Sequence, residues 1–462
     1  MIRLRSAALL LATVLLAACD MAPNYVRSVS DFVPPQWPQG AAYASAQANP
    51  AGMPWRTLVT DPKLRSVIEQ ALADNQDLAA AVATVASARA QYRIQRSYQS
   101  PTLTADAGAT IVRTISGASQ STTSFSGSAG VSAFEVDLFG RLKNLSREAL
   151  ELYLATESGA RVTRLSIVAE TATAYTTLAS DMDLLAVARE QVSSSERTVR
   201  LTKDLHDQGL TAGSDLADAQ TLLAQARSDV EGYTTQVARD RNALELLVGQ
   251  SVSDALLPTS LDALDAGVGK VPAGLSSAVL LDRPDVVEAE HQLKAAYKDI
   301  GAAKAAFFPT VSLTSALGVI SGGLTSLFTS GSTAWSVTPA LSLPVFGGTN
   351  RGNLAYSEAQ RDYYLATYRK TAQTAYREVA DGLARAGTID RQRLAQADLV
   401  TAAAKSYAIA EARYREGTDS FLTALVSQRT LYAARQTATS IELADVANRI
   451  TLYQAIGSDN SI

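Results

Sequence analysis

Residues 307–346 read FFPTVSLTSALGVISGGLTSLFTSGSTAWSVTPALSLPVF, and the alternation within them decides the fold. From Ser332 to Val345 one face would carry Trp335, Val337, Pro339, Leu341, Leu343 and Val345, the other Ser336, Thr338, Ala340, Ser342 and Pro344. From Thr310 to Ile320, Val311, Leu313, Leu317 and Val319 alternate with Thr310, Ser312, Thr314, Ala316 and Gly318. A period of two predicts strands, and the Gly/Ser/Thr-rich connection predicts a hairpin. Phe307, Phe308, Phe328, Trp335 and Phe346 stand near the ends of the runs, where a spanning strand meets the headgroups.

Alternation alone fits a soluble sandwich equally well, because the membrane-barrel signal is weak per segment. Two features favour the membrane. The hairpin occurs twice, and long helical segments flank both copies. In the earlier copy, Pro101 to Gly140, Leu103, Ala105, Ala107, Ala109 and Ile111 alternate with Thr102, Thr104, Asp106, Gly108 and Thr110. Phe125, Ala129, Val131 and Ala133 then alternate with Ser126, Ser128, Gly130 and Ser132, and the phase slips at Phe134-Glu135, which predicts a bulge or strand end. Four strands per chain are expected.

The chain has 462 residues, net charge −4, two histidines and one cysteine. Near-neutral charge without a basic cluster argues against nucleic acid. A single cysteine forms no internal disulfide, and with two histidines it makes a structural zinc site improbable. Met1 to Ala18 has Arg3 and Arg5 followed by an apolar run too short to span, as in a signal peptide. Leu16-Ala17-Ala18-Cys19 resembles a bacterial lipobox, so Cys19 is the expected lipidation site. Asp20 follows it, and in some bacteria an aspartate there favours retention in the inner membrane. No other apolar stretch reaches the roughly 20 residues of a transmembrane helix.

The order of elements is a tail (19–58), a first half (59–250), an irregular segment (251–275), a second half (276–457) and a short C-terminal end (458–462). Each half reads helix, hairpin (101–140 and 309–346), long proline-free helix, glycine turn (209–215 and 417–420), helix, an internal duplication. The first long helix, Arg141 to about Gln208, would run roughly 100 Å at 1.5 Å per residue. The second is expected from about Asn353 to Glu416, and Ser214 or Asp215 is the expected cap after the first turn.

Trp55, Asp61-Pro62-Lys63-Leu64, Ala71 to Leu78 (ALADNQDL), Phe134 to Arg141 (FEVDLFGR), Arg283-Pro284-Asp285-Val286 with Ala289-Glu290, and Ala305-Ala306-Phe307-Phe308-Pro309 together resemble the outer-membrane factors. These are the TolC/OprM-like lipoprotein exit ducts of tripartite efflux pumps. The resemblance runs from about Pro23 to Gly457; Phe134 replaces the family's usual Trp, and Ser28 stands where proline is common. It implies a mainly α chain with a small β part. Three chains would each give four strands to one 12-stranded transmembrane β-barrel, continued by a periplasmic α-helical barrel. It implies a homotrimer in outer-membrane lipid, a periplasmic adaptor and an inner-membrane, proton-driven transporter as partners, and drugs or other small toxic solutes as cargo. A spanning sheet must close, and the smallest usual barrel has about eight strands, so four strands already demand oligomerisation. A type I secretion duct and a soluble lipid-tethered helical scaffold are the alternatives.

The resemblance also places the periplasmic tip at the glycine turns, with Gly209, Asp215, Gly417 and Asp419 facing the adaptor. Members often carry acids on the helix after the second turn, near the constriction. Here Thr423 and Val426 follow Leu422, with Arg429 one turn on, so the expected gate is Leu422, Val426 and Arg429, closed by apolar side chains. No catalytic residue, cofactor or metal is expected. Arg283-Pro284-Asp285 reads as a helix start, Glu135 and Asp137 as hydrogen-bonding groups at a strand end, and His206 and His291 as surface or interhelix residues.

Overall fold

Four antiparallel strands in the order β1-β2-β3-β4 form the only sheet among the described residues: β1 Leu103–Thr114, β2 Gln120–Val136, β3 Thr310–Ser321 and β4 Thr333–Ser342. The structure is a computed structural model, and it describes residues 20–27, 33–43, 54–114, 120–271, 276–328 and 332–457. The expected signal segment and Cys19 lie outside the described residues, as do 458–462. The helices are α1 Trp55–Leu58, α2 Pro62–Asp74, α3 Gln76–Ser97, α4 Arg141–Asp207, α5 Gly213–Val248, α6 Leu261–Asp265, α7 Pro284–Ala305, α8 Thr349–Arg415 and α9 Phe421–Ile456. Lengths recur between the halves: 22 residues in α3 and α7, 67 in α4 and α8, 36 in α5 and α9. No helix among the described residues is long and apolar enough to cross a membrane.

The chain divides into two compact units, the first comprising residues 1–28, 84–157 and 288–369. It holds the sheet. Across the strands Leu103, Val131, Ser315 and Val337 lie in register, as do Ala105, Ala129, Leu317 and Trp335. On the opposite face Thr104, Gly130, Ala316 and Ser336 align. The alternation of four separate runs is therefore in phase, giving one apolar and one small, polar face. The register shifts between Val131 and Phe134, and Ala133 has φ 48°. This bulge returns Phe134, opposite Leu313 and Pro339, to the apolar face. The slip expected at Phe134-Glu135 thus lies at Ser132-Ala133. Gly130 is required because a Cβ there would come within 2.1 Å of the Ser315 carbonyl oxygen.

Strands of 12, 17, 12 and 10 residues are long enough to cross a hydrocarbon layer when tilted. β2 takes in part of the Ser/Thr-rich connection, whereas β4 stops at Ser342, short of the expected Val345. The outer edges of β1 and β4 have no strand partner among the described residues. Below the sheet Arg141 Nε donates to Glu135 (2.9 Å), Asp137 accepts from the Lys143 backbone N–H (2.7 Å), and Phe139 stacks on Phe308. Residues 20–27 lie along α4 and α7: Asp20 pairs with Arg147, and Glu290 accepts from Tyr25 and Arg27 at 3.0 Å each.

The second unit comprises residues 29–83, 158–287 and 370–462. Its core gathers Trp55, Leu58, Leu64, Ile68, Tyr175, Leu178, Leu244, Val446 and Ile450, all under 2% exposed. Asp61 caps α2 by accepting from Leu64 N–H at 2.7 Å, with Pro62 at the first helical position. The mid-chain segment, expected to be irregular, contributes α6 and a Val59–Val268 bridge and buries Leu261, Leu264 and Val268 in the core. α8 starts at Thr349, four residues before the expected Asn353.

A buried ionic network ties this unit together. Arg449 Nη2 lies 2.6 Å from both Asp265 Oδ1 and Asp445 Oδ2, and its Nη1 donates to the Val268 carbonyl at 2.8 Å. Arg393 joins the same two carboxylates at 3.0 and 2.7 Å. The side chains of Arg449 and Asp445 are 8% and 3% exposed. Burial alone would raise the Asp265 carboxyl, but the Arg393 hydrogen bond and the Arg449 charge outweigh it and hold it below its usual range.

Candidate functional site

The two helix-to-helix turns are built alike. Gly209 (φ 73°) and Gly417 (φ 69°) end α4 and α8 in the left-handed region. Leu210 N–H bonds the Leu205 carbonyl and Gly209 N–H the His206 carbonyl, at 2.9 and 2.8 Å. Thr418 N–H bonds the Arg413 carbonyl and Gly417 N–H that of Tyr414, at 2.9 and 3.0 Å. Both are Schellman closures, which satisfy the last helical carbonyls and call for glycine. A Cβ at either glycine meets open space, so substitution is penalised by the backbone alone. Gly417→Ala should loosen the turn by about 1–2 kcal/mol, speeding amide exchange at Thr418 roughly tenfold; unchanged exchange would contradict the assignment.

The acids of the turns are held locally. Asp419 accepts from the Ser420 N–H (2.8 Å) and the Thr423 hydroxyl (3.1 Å), which together lower its pKa, and Arg413 lies 3.7 Å away. Asp215 accepts from the Thr211 hydroxyl. α5 starts at Gly213 with no side-chain cap, so neither Ser214 nor Asp215 caps it as expected; Asp215 instead braces the turn from inside its first coil. Ser420 does cap α9, accepting from Thr423 N–H.

The start of α9 has two faces. Phe421, Ala424 and Leu425 are buried against Tyr414 of α8 and Ala219 and Leu222 of α5. Leu422 and Val426 face solvent, 63% and 53% exposed, and the exposed stripe continues through Arg429, Thr430, Ala433 and Thr437. The structure thus places the three expected gate residues on one face, spaced four and three apart. Deeper between α4, α8 and α9 lies a cavity of about 450 Å³ lined by Glu190, Arg197, Tyr407 and Arg435 among others. Ser194 is central to its wall, 3.0 Å from the Tyr407 hydroxyl and accepting from the buried Gln428 amide at 3.0 Å. Sequence reading missed this polar seam, because Ser, Tyr and Gln on long helices carry no periodic signal.

Several other charged groups have structural partners. Arg283 donates to Asp285 (2.8 Å), Glu378 (2.7 Å) and the Ala455 carbonyl (2.7 Å), locking the start of α7. His206 Nδ1 lies 3.2 Å from the Thr211 carbonyl, and His291 Nδ1 2.6 Å from Glu151. Burial, and then the Asp299 charge, push Glu148 up to about 7; burial and a hydrogen bond with Asp240 do the same for Asp181. No group of three or more His, Cys, Asp or Glu among the described residues could hold a metal ion.

The family model described as "Outer membrane efflux protein" matches this chain twice, over residues 67–250 and 275–458. The probable efflux pump outer membrane protein TtgC of Pseudomonas putida is 40% identical over 453 residues, covering 96% of this chain and 93% of that protein. Outer membrane protein OprJ of Pseudomonas aeruginosa is 37% identical over 429 residues, covering 92% and 89%. Among solved structures, the open state of the Neisseria gonorrhoeae MtrE outer membrane channel superposes with a TM-score of 0.85 at 30% identity, covering 95% of this chain and 98% of MtrE. A structure of CusC gives 0.86 at 33% identity, with 95% and 100% covered.

Proposed function

The chain belongs to the outer membrane efflux protein family, and from that premise we propose that three copies close their sheets into one 12-stranded barrel. The protein is an outer-membrane exit duct of an efflux system and performs no chemistry of its own. The observation that carries the trimeric reading is the sheet: four in-phase strands with one apolar face and two unpaired edges. Such edges are not tolerated in hydrocarbon, so the sheet must be completed by other copies. In this reading the polar face, with Thr104, Ser128 and Ser336, lines a water-filled lumen. The recurring helix lengths support an internal duplication whose long helices continue the duct into the periplasm.

Cys19 carries the lipid anchor in this proposal, and the turns at Gly209, Asp215, Gly417 and Asp419 meet a periplasmic adaptor that links the duct to a proton-driven inner-membrane transporter. The cargo is a drug or small toxic solute. Relatives named for toluene and antibiotic efflux support that class. The purified full chain should run as a heat-modifiable trimer and conduct in planar bilayers. A monomer without conductance would instead fit a tethered scaffold.

Leu422 and Val426 form the constriction in this reading. Three-fold symmetry turns each exposed side chain into a ring, and an apolar ring closes by excluding water. Leu422→Ser should therefore raise the conductance of the isolated trimer, and Val426→Asp should make it sensitive to divalent cations. If neither changes, the constriction lies elsewhere.

A further inference from the structure

We propose that Arg429 makes the periplasmic mouth selective for anionic solutes, an inference that rests on the trimeric-duct reading above. From Phe421 to Ser440, α9 contains two charged residues, Arg429 and Arg435, and no acid. Arg435 is engaged by Glu190 at 2.7 Å. Arg429 sits on the exposed stripe with Leu422 and Val426 and makes no hydrogen bond or ion pair with any described residue. Four acids of the neighbouring helices are held within their own chain, whereas Asp218 of α5 and Glu416 after α8 are exposed and make no side-chain hydrogen bond or ion pair with a described residue. Asp215 accepts from Thr211, Asp229 from Tyr432 and Gln225, and Asp419 from Thr423, while Glu411 lies 3.7 Å from Arg415.

A guanidinium does not lose its proton in a protein, so three copies give a permanent cationic ring. Arg429 follows Leu422 by seven residues, about 10 Å along the helix, so the ring lies just inside the apolar constriction. Low water content there strengthens its field. Asp106, on the polar face of β1, is an acid of the sheet and not of α9. With a Debye length of about 8 Å in physiological salt, a charge dominates selection where the passage is narrow. Rings of arginine select anions, and the planar fork matches carboxylate, sulfonate and phosphate groups. The solute class favoured is therefore anionic or zwitterionic molecules bearing one of these groups.

The test uses trimers of the full chain in planar bilayers under a KCl gradient, reading the chloride-to-potassium permeability ratio. Wild type should favour chloride. Arg429→Gln should lower the ratio roughly 25-fold, because a unit charge at about 4 Å in bulk water favours chloride about fivefold and disfavours potassium by the same factor, and Arg429→Glu should invert it. Inorganic tripolyphosphate should block wild type but not Arg429→Gln, while Arg429→Lys should keep the chloride preference and bind tripolyphosphate more weakly. The same series in a Leu422→Ser background provides larger currents. Trimers that conduct with the same ratio in wild type and Arg429→Glu overturn the role of Arg429 and leave the duct standing. Trimers that conduct in neither background overturn the duct reading and this inference with it.

Discussion

Replacing Arg449 with alanine is expected to destabilise the second unit by about 3–5 kcal/mol, because Asp265 and Asp445 are then left to share Arg393 alone, with one buried negative charge in excess. The loss exceeds that of an exposed pair such as Lys270–Asp390, worth roughly 0–1 kcal/mol. It also has a signature in pH. The Asp265 carboxyl is held below its usual range in the folded protein, so its contribution is present above the unfolded aspartate pKa near 3.9 and is lost as pH falls through the lower folded value. Without Arg449 the Asp265 carboxyl takes up its proton at higher pH, which relieves the buried charge. The gap in helix-melting temperature between Arg449→Ala and wild type, followed by circular dichroism, should be widest near pH 7 and narrow toward pH 4. A gap that is absent, or that widens in acid, would contradict this role.

Val337→Arg is expected to cost about 2–4 kcal/mol in each chain, the penalty for a cation facing lipid at mid-bilayer. Val337 pairs with Ser315 near the middle of β3 and shares the apolar face with Leu103 and Val131. Leu341, one residue from the end of β4, would lie close to the interface, where arginine costs about 0–1 kcal/mol. Ser336→Arg would point into the lumen, altering conductance while preserving assembly. The trimer fraction on unheated gels from outer membranes should fall steeply for Val337→Arg, slightly for Leu341→Arg and little for Ser336→Arg. Equal losses at Val337 and Ser336 would refute the facial assignment.

Period-two alternation is a direct imprint of a sheet with unlike faces, so the two faces were legible residue by residue. The bulge was legible as a slipped phase, though displaced by a residue or two, since a sequence shows only where the pattern resumes. The glycines of the two turns were legible because left-handed backbone selects glycine. The Arg449 network was not. Asp445 and Arg449 look like any surface pair four apart on a helix, and Asp265 sits in a segment without periodicity. The exposed face of α9 proposed as the constriction was legible only in part: the spacing of Leu422 and Val426 placed them together, but nothing local distinguished their face from that of Phe421 and Leu425, which the packing of Tyr414 and Leu222 decides.

The bare edges of β1 and β4 carry a consequence for inheritance. Under three-fold assembly, a ring is as good as its worst member. A chain whose β4 edge is blocked by an added proline would still enter rings and leave each one unsealed. In a cell making equal amounts of blocked and normal chains, about one ring in eight would contain three normal members and close. Such an allele would be dominant negative, and a deletion of the same gene copy would be milder than the single proline.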